Sequence, residues 1–135
     1  MHATTVAIEG RAVLIEGPSG AGKSDLALRL IDRGAVLVSD DRTRLVRDGE
    51  RLTAHAPERM AGRIEVRGLG IVAVPHVTAA PVALLVRLGV EEDRLPERHT
   101  REIAGLAVRE LVIDPFRASG PLKVEWALRQ PENAP

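Results

Sequence analysis

The chain contains no cysteine and almost no aromatic residues, with one tryptophan, one phenylalanine and no tyrosine among 135 residues. The absence of cysteine excludes disulfide bonds, thiolate catalysis and cysteine-ligated zinc. So few aromatic rings argue against a surface that stacks the bases of single-stranded nucleic acid. The core must instead be built from valine, leucine, isoleucine and alanine, as is usual in buried parallel sheets.

An excess of charge of either sign is also missing, as are long apolar runs. Nineteen basic and nineteen acidic residues cancel, so no overall field attracts nucleic acid or an anionic membrane. No apolar run approaches the roughly 20 residues that span a bilayer, and the first residues lack the pattern of a signal peptide. We therefore expect a cytoplasmic protein without nucleic-acid or membrane partners, forming one domain over residues 1–130 with a disordered tail at 131–135.

The strongest positive signal is a complete phosphate-binding loop of the pattern G-x-x-x-x-G-K-[ST]. An apolar stretch at 12–15 precedes the loop and a helix-like stretch at 25–31 follows it, which is the setting the motif requires. Backbone N–H groups of such a loop bind phosphate oxygens, its lysine reaches the β- and γ-phosphates, and its last hydroxyl helps to hold Mg²⁺. The pattern predicts a nucleotide site at Gly17, Pro18, Ser19, Gly20, Ala21, Gly22, Lys23 and Ser24.

The remaining pattern predicts an α/β fold with a mixed, β-rich sheet and few helices. A β-rich middle attached to one strand–helix–strand unit differs from the alternating order of small GTPases and nucleoside-monophosphate kinases. The elements expected from periodicity and turn residues are strands at 3–8, 11–16, 35–39, 43–46, 51–54, 63–66, 70–74 and 82–87, a strand pair within 104–112, and two helices, with an exposed loop at 91–100. The first helix is expected at 23–33, and the second includes 123–129 and starts between 119 and 123.

Phosphoryl transfer also needs carboxylates for the metal and the acceptor, and cations for the transferred phosphate. Asp40 and Asp41 follow an apolar strand, where ligands gather in open α/β sheets, and adjacent carboxylates can serve a metal and an acceptor hydroxyl separately. Glu65 and Arg67 stand two apart, which would place them on one face of a strand, although such a pair is more often a solvated ion pair. Arg117, near a tight turn, is a candidate phosphate ligand.

Three segments in this order resemble the catalytic domain of the bacterial HPr kinase/phosphorylase family. They are the phosphate loop, the run R-G-A-V-L-V-S-D-D-R at 33–42 and the run I-E-V-R-G-L-G-I at 64–71. The similarity extends from about residue 2 to residue 128. It implies a P-loop core of the phosphoenolpyruvate-carboxykinase type, use of ATP and Mg²⁺, and phosphorylation of a serine on an HPr-like phosphocarrier protein, with reverse phosphorolysis as a family activity. It further implies the short, alphaproteobacterial-type form, made of the catalytic domain alone, and a homo-oligomer, which is a hexamer in the family.

The resemblance also implies roles for single residues. Asp40 matches the catalytic aspartate, which acts as base in the kinase direction and as acid in the reverse one, and Lys23 lies in the loop that binds the nucleotide. Arg67 matches the signature arginine, Arg117 the first arginine of a phosphate-binding segment, and His2 a histidine near the catalytic aspartate. The metal ligands it implies are Ser24, Asp41 and Glu65. Gly120 stands where the family has a second arginine.

Three other functions stay open at this stage. A GTPase would be expected to carry an N-K-x-D guanine signature, which this sequence does not contain. A small-molecule P-loop kinase needs an arginine-rich lid, which only residues 94–101 could supply. A nucleotide-binding sensor without transfer activity would keep the loop but does not need the intact carboxylates at 40, 41 and 65.

Overall fold

The computed structural model describes residues 1–131, which form ten strands and two helices. The disordered tail predicted at 131–135 lies, apart from Pro131, outside the described residues. In chain order the elements are β1 (Thr4–Ile8), β2 (Arg11–Glu16), α1 (Lys23–Asp32), β3 (Val36–Ser39), β4 (Arg44–Asp48), β5 (Arg51–His55), β6 (Arg63–Val66), β7 (Gly70–Ala73), β8 (Ala79–Leu88), β9 (His99–Ile103), β10 (Leu106–Ile113) and α2 (Gly120–Arg129).

The main sheet is mixed and has the strand order β3-β1-β2-β8-β10-β9. Its centre is parallel, because β8 runs parallel to both β2 and β10. β1 is antiparallel to β2 and to β3, and β9 is antiparallel to β10. The predicted β-rich α/β fold is thus confirmed. The expected strand–helix–strand unit is present with one difference: β1 lies between β2 and β3, so the two strands that flank α1 are not neighbours.

The two faces of the sheet are covered differently, as the alternation of residues along β2 shows. Val13 and Ile15 belong to the larger core cluster, which also contains buried residues of α1, α2 and β6. Ala12 and Leu14 point to the opposite face and pack with buried residues of the β4–β5 hairpin. Since successive strand residues face opposite sides, one apolar run supplies both cores.

Local sequence accounts for the end of α1 and the start of α2. α1 ends because Gly34, at φ 111°, takes the left-handed conformation, and the N–H groups of Gly34 and Ala35 bond the carbonyls of Ile31 and Leu30, a glycine-dependent helix stop. α2 begins at Gly120, at the early end of the range predicted for its start, with Pro121 in its first turn, where proline costs no hydrogen bond. Within residues 1–131, neither helix is long and apolar enough to cross a membrane.

Two strands are longer or earlier than expected. β8 begins at Ala79 rather than at 82, because its first residues pair with β5, including Pro81 opposite Thr53. β9 begins at His99, inside the predicted loop at 91–100, because residues 99–103 pair with β10. The pairing of β8 with β5 joins segments that are distant in the chain, whereas β9 pairs with β10 across a tight turn at Ala104 and Gly105. Periodicity within one segment reveals neither partner.

Candidate functional site

The candidate site residues lie at one edge of the sheet. The strands β2, β8 and β10 end together there, with Glu16 opposite Arg87 and Leu88 opposite Ile113. β3 ends at the same edge, and because β1 is antiparallel its first residues also lie there, with Thr5 opposite Ser39. The carboxyl ends of parallel strands are where open α/β sheets bind ligands.

The phosphate loop follows β2 and leads directly into α1. Gly22, at φ 104°, precedes the helix and accepts the first helical bond from the Leu26 N–H at 2.9 Å. The positive φ favours glycine at this position, and a Cβ there would be in tight contact with the Cβ of Pro115, at 3.3 Å. The buried Lys23 ammonium donates to the carbonyl oxygens of Gly17 at 2.8 Å and Pro18 at 3.3 Å.

Asp40 is held at the centre of this edge and is only 9% exposed. Its Oδ1 accepts bonds from the Ser24 hydroxyl at 2.8 Å and from the Thr4 hydroxyl at 3.1 Å. Its Oδ2 accepts the backbone N–H of Glu65 at 3.0 Å. Donors from α1, β1 and β6 therefore fix the orientation of one carboxylate, and the last residue of the phosphate loop contacts it directly.

Asp41 adopts a strained backbone and turns its side chain outward. Its φ is 66°, and the Arg42 N–H bonds the Asp40 carbonyl at 2.7 Å, the pattern of a γ-turn with a positive central φ, which is rare and strained. The His2 Nε2 lies 2.7 Å from Asp41 Oδ1, with both side chains more than half exposed. The contact of His2 is therefore with Asp41, the chain neighbour of the aspartate near which the resemblance places this histidine.

Glu65 and Arg67 are brought to the same hairpin but not to one strand. β6 ends at Val66, so Arg67 is the first residue of the turn that leads to β7. The expectation that both project from one strand face is wrong, because strand alternation stops before Arg67. Glu65 lies beside Asp40, to which its backbone N–H donates a hydrogen bond. The side chains of Glu65 and Arg67 are both exposed.

Arg117 lies on a turn that is hydrogen-bonded to α1. The Arg29 guanidinium on α1 donates to the carbonyl oxygens of Pro115 and, at 3.3 Å, of Arg117. It also pairs with Asp25 at 3.1 Å. Because Pro115 packs against Gly22, the turn that carries Arg117 lies next to the phosphate loop.

Glu91, in the loop after β8, holds the same turn from its other side. Its carboxylate accepts the Asp114 N–H at 2.8 Å and pairs with the Lys123 ammonium of α2. Burial by itself would raise the pKa of Glu91, but the hydrogen bonds from Lys123 and Asp114 and the charges of Lys123 and Arg117 together lower it below its ordinary value. The carboxylate therefore stays ionised and joins the loop, the turn and α2.

Sequence reasoning missed Thr4, Arg29 and Glu91. Thr4 stands in an apolar strand, where a threonine usually signals only β-propensity. Arg29 forms an i,i+4 pair with Asp25, a spacing that ordinarily indicates a solvated helix face. The roles of a buried hydroxyl and of a guanidinium that binds carbonyls 86 and 88 residues away become visible only when the strands and helices are assembled.

Oxygen ligands for a metal are present, but not as an all-protein cage. Among residues 1–131, no group of three or more His, Asp or Glu side chains is close enough to hold a metal ion. Mg²⁺ in phosphoryl-transfer sites is commonly held by one or two carboxylates together with substrate phosphates and water. The Ser24 hydroxyl and the carboxylates of Asp41 and Glu65, the metal ligands that the family resemblance implies, are oxygen donors of that kind.

The chain is similar in sequence to known proteins. Residues 1–83 match the family described as the HPr Serine kinase C-terminal domain. The HPr kinase/phosphorylase of Limosilactobacillus reuteri is 37% identical over 84% of this chain, and that of Caldicellulosiruptor bescii is 36% identical over 83%. This chain spans about 40% of the length of these curated relatives.

A solved structure is similar over nearly its whole length. The Hpr(Ser) kinase/phosphatase from Coxiella burnetii superimposes with a TM-score of 0.82 at 31% sequence identity, covering 96% of this chain and 93% of that one. Almost all of each chain therefore lies within the superposition.

Proposed function

This chain belongs to the HPr serine kinase family, and from that premise we propose that it transfers the γ-phosphoryl group of ATP to a serine hydroxyl of an HPr-like phosphocarrier protein. The observation that carries the proposal is the 2.8 Å hydrogen bond between the Ser24 hydroxyl and Asp40. It joins the end of a nucleotide-binding loop to an oriented carboxylate, and a kinase needs both within reach of one phosphoryl group.

The residues present fit Mg-ATP. Gly22 leaves room for a close approach of the loop backbone, and the Lys23 ammonium would exchange the carbonyls of Gly17 and Pro18 for phosphate oxygens. Ser24, Asp41 and Glu65 are the proposed Mg²⁺ ligands, shared with the phosphates and water. When bound, the metal neutralises charge on the β- and γ-phosphates.

Asp40 is the proposed general base. Its carboxylate takes the proton of the attacking serine hydroxyl while a bond forms from the serine oxygen to the γ-phosphorus and the bond to the β-phosphate oxygen breaks, releasing ADP. In the phosphorolysis, an oxygen of inorganic phosphate forms a bond to the phosphorus of phosphoserine while the bond from that phosphorus to the serine oxygen breaks. The protonated Asp40 gives its proton to the serine oxygen, and the products are the serine hydroxyl and pyrophosphate. General base catalysis of this kind contributes about 10²- to 10⁴-fold.

The remaining predicted residues surround this centre. Three cations supply positive charge for the transferred phosphate. They are Lys23 in the phosphate loop, Arg117 on the turn beside the loop, and Arg67 at the tip of the β6–β7 hairpin. His2 would hold the Asp41 carboxylate through its 2.7 Å contact. The hexameric assembly of the family stays a prediction for this chain.

The test is transfer of labelled phosphate from Mg-ATP to the HPr of the same genome, with the modified residue identified by mass spectrometry of its peptides. We expect phosphoserine, and we expect Asp40→Asn to reduce the rate by at least about 100-fold. Adding phospho-HPr and inorganic phosphate to the same protein tests the reverse reaction.

Asp48→Asn is the matched control, since Asp48 is an exposed aspartate at the end of β4 and the variant should transfer phosphate normally. Turnover of a metabolite without labelling of HPr would replace the proposal by a small-molecule kinase. Nucleotide binding with no transfer to any acceptor would replace it by a sensor. Labelling that survives Asp40→Asn would remove Asp40 from the mechanism.

A further inference from the structure

Thr4 is the most deeply buried side chain that touches the proposed catalytic carboxylate. Its relative exposure is 0%, and it lies on β1, between the strand that leads to the phosphate loop and the strand that leads to Asp40. A hydroxyl has one hydrogen to donate and two lone pairs to accept with. Thr4 uses both capacities toward the aspartate pair.

The Thr4 hydroxyl donates to Asp40 Oδ1 at 3.1 Å and accepts the backbone N–H of Asp41 at 3.0 Å. The direction of both bonds follows from chemistry, because a backbone N–H can only donate and an ionised carboxylate can only accept. One hydroxyl therefore fixes the side chain of Asp40 and the backbone of Asp41 together.

This bond has a clear structural task. Asp41 has a positive φ, a conformation that a non-glycine residue keeps only where its surroundings hold it. The γ-turn points the two successive carboxylates in different directions, Asp40 inward to Ser24 and Asp41 outward to His2. Without the Thr4 hydroxyl as acceptor for the Asp41 N–H, the turn that orients the two carboxylates would lose one of the hydrogen bonds that hold it.

We propose that Thr4 is a positioning residue that sets the geometry of the Asp40–Asp41 pair for phosphoryl transfer. The proposal rests on the proposed function, in which Asp40 is the base. Thr4 acts through Asp40 and touches neither nucleotide nor acceptor, so its loss affects the chemical step more than nucleotide binding.

The neighbouring Thr5 provides a matched control. It is equally buried and lies on the same strand, but its hydroxyl bonds Thr43 Oγ1 at 2.7 Å. Thr43 in turn donates to the Ala3 carbonyl at 2.9 Å. Thr5→Val thus removes a buried hydroxyl from β1 without removing a bond to either aspartate.

The experiment compares kcat and the KM for ATP in Thr4→Val, Thr4→Ser and Thr5→Val. We expect Thr4→Val to lower kcat by about 10- to 100-fold with a KM for ATP within about threefold of the wild type, because misplacing a catalytic group slows the chemical step. Thr4→Ser, which keeps the hydroxyl, should return kcat to within about threefold, and Thr5→Val should stay within about twofold. In an Asp40→Asn background, Thr4→Val should cause no further loss.

Equal kcat values for Thr4→Val and Thr5→Val would overturn the proposal, as would a Thr4→Val effect confined to KM. If Thr4→Val does not fold, the pair Thr4→Ser and Thr4→Ala, which differ by one hydroxyl, gives the same comparison.

A second readout separates this proposal from the proposed function. The exchange rate of the Asp41 amide, measured by NMR, should rise at least about tenfold in Thr4→Val and stay unchanged in Thr5→Val, because only the first variant removes its acceptor. Inactivity of the wild type toward HPr together with this amide result would reject the kinase and retain Thr4 as the residue that sets the pair. An unchanged Asp41 amide in Thr4→Val would reject the role of Thr4 whatever the activity.

Discussion

Asp40 and Asp41 are adjacent in the chain but lie in different chemical environments. Asp40 is buried and receives three hydrogen bonds, whereas Asp41 is exposed and pairs with His2. A contact between two exposed polar side chains adds little stability, so the contact between His2 and Asp41 orients a carboxylate more than it stabilises the fold. The left-handed backbone conformation of Asp41 is what turns these two neighbouring side chains in different directions.

Glu91 allows a pH-dependent prediction at the same scale. Because the pKa of Glu91 is lower in the folded protein than in the unfolded chain, its charge adds stability at neutral pH that is lost as the pH falls through the lowered pKa. We expect Glu91→Gln to reduce the free energy of unfolding by about 1 to 2 kcal/mol at pH 7, and the difference to shrink below about pH 4. Urea unfolding at several pH values measures this.

Glu92→Gln is the control for that prediction, because Glu92 is the exposed neighbour of Glu91 and the variant should unfold like the wild type at each pH. A Glu91→Gln difference that grows as the pH falls would contradict the assigned direction of the shift.

At the scale of elements, α1 connects the phosphate loop to the turn that carries Arg117. Its first residue is Lys23, and its last turn contains Arg29, whose guanidinium binds the carbonyls of Pro115 and Arg117. A planar guanidinium can serve two acceptors in a fixed arrangement. The first residue of the helix therefore provides the Lys23 ammonium, and its last turn restrains the turn that carries Arg117. The positions of Lys23 and Arg117 relative to each other are fixed in this way.

Arg29→Ala should release this turn and misplace Arg117. We expect phosphate transfer to fall by about tenfold, the kind of loss that follows displacement of a phosphate-binding group. Arg33→Ala is the matched control, because Arg33 lies one turn further along and pairs with Glu125 of α2 at 2.9 Å instead. Equal losses in the two variants, measured in the HPr assay, would show general loosening of α1 rather than an effect on the turn.

Across the whole molecule, β8 is the strand on which the other parts depend. It pairs with β2, β10 and β5, and its side chains enter both cores, Leu84 and Val86 on the helical face and Leu85 on the opposite face. The phosphate loop begins at the end of β2, immediately beside β8, so the stability of the site is tied to the packing of this strand.

Leu85→Ala should therefore destabilise the entire chain. Leu85 is 0% exposed, and replacing a buried leucine by alanine costs about 2 to 5 kcal/mol. Leu95→Ala, at a leucine that is 89% exposed, should change the free energy of unfolding by less than about 0.5 kcal/mol. Urea unfolding followed by circular dichroism tests both, and a Leu85→Ala loss as small as that of Leu95→Ala would place the core elsewhere.

The sequence by itself determined the phosphate loop, α1, most of the strands and the family. These features depend on local order: a motif of fixed spacing, apolar periodicity, and turns marked by glycine, each of which acts within a few residues. The same locality explains why Asp40, Asp41 and Glu65 could be chosen as candidates before their positions were known.

The tertiary structure alone decided how those residues meet. The insertion of β1 between β2 and β3 brings His2 to Asp41 and Thr4 to Asp40, and no local pattern records which strand pairs with which. Thr4 reads as an ordinary strand residue, and Arg29 as half of a surface ion pair, until strands and turns far apart in the chain are adjacent. A hydrogen bond depends on distance and direction in space, so the partners that position the carboxylates appear only in the assembled sheet.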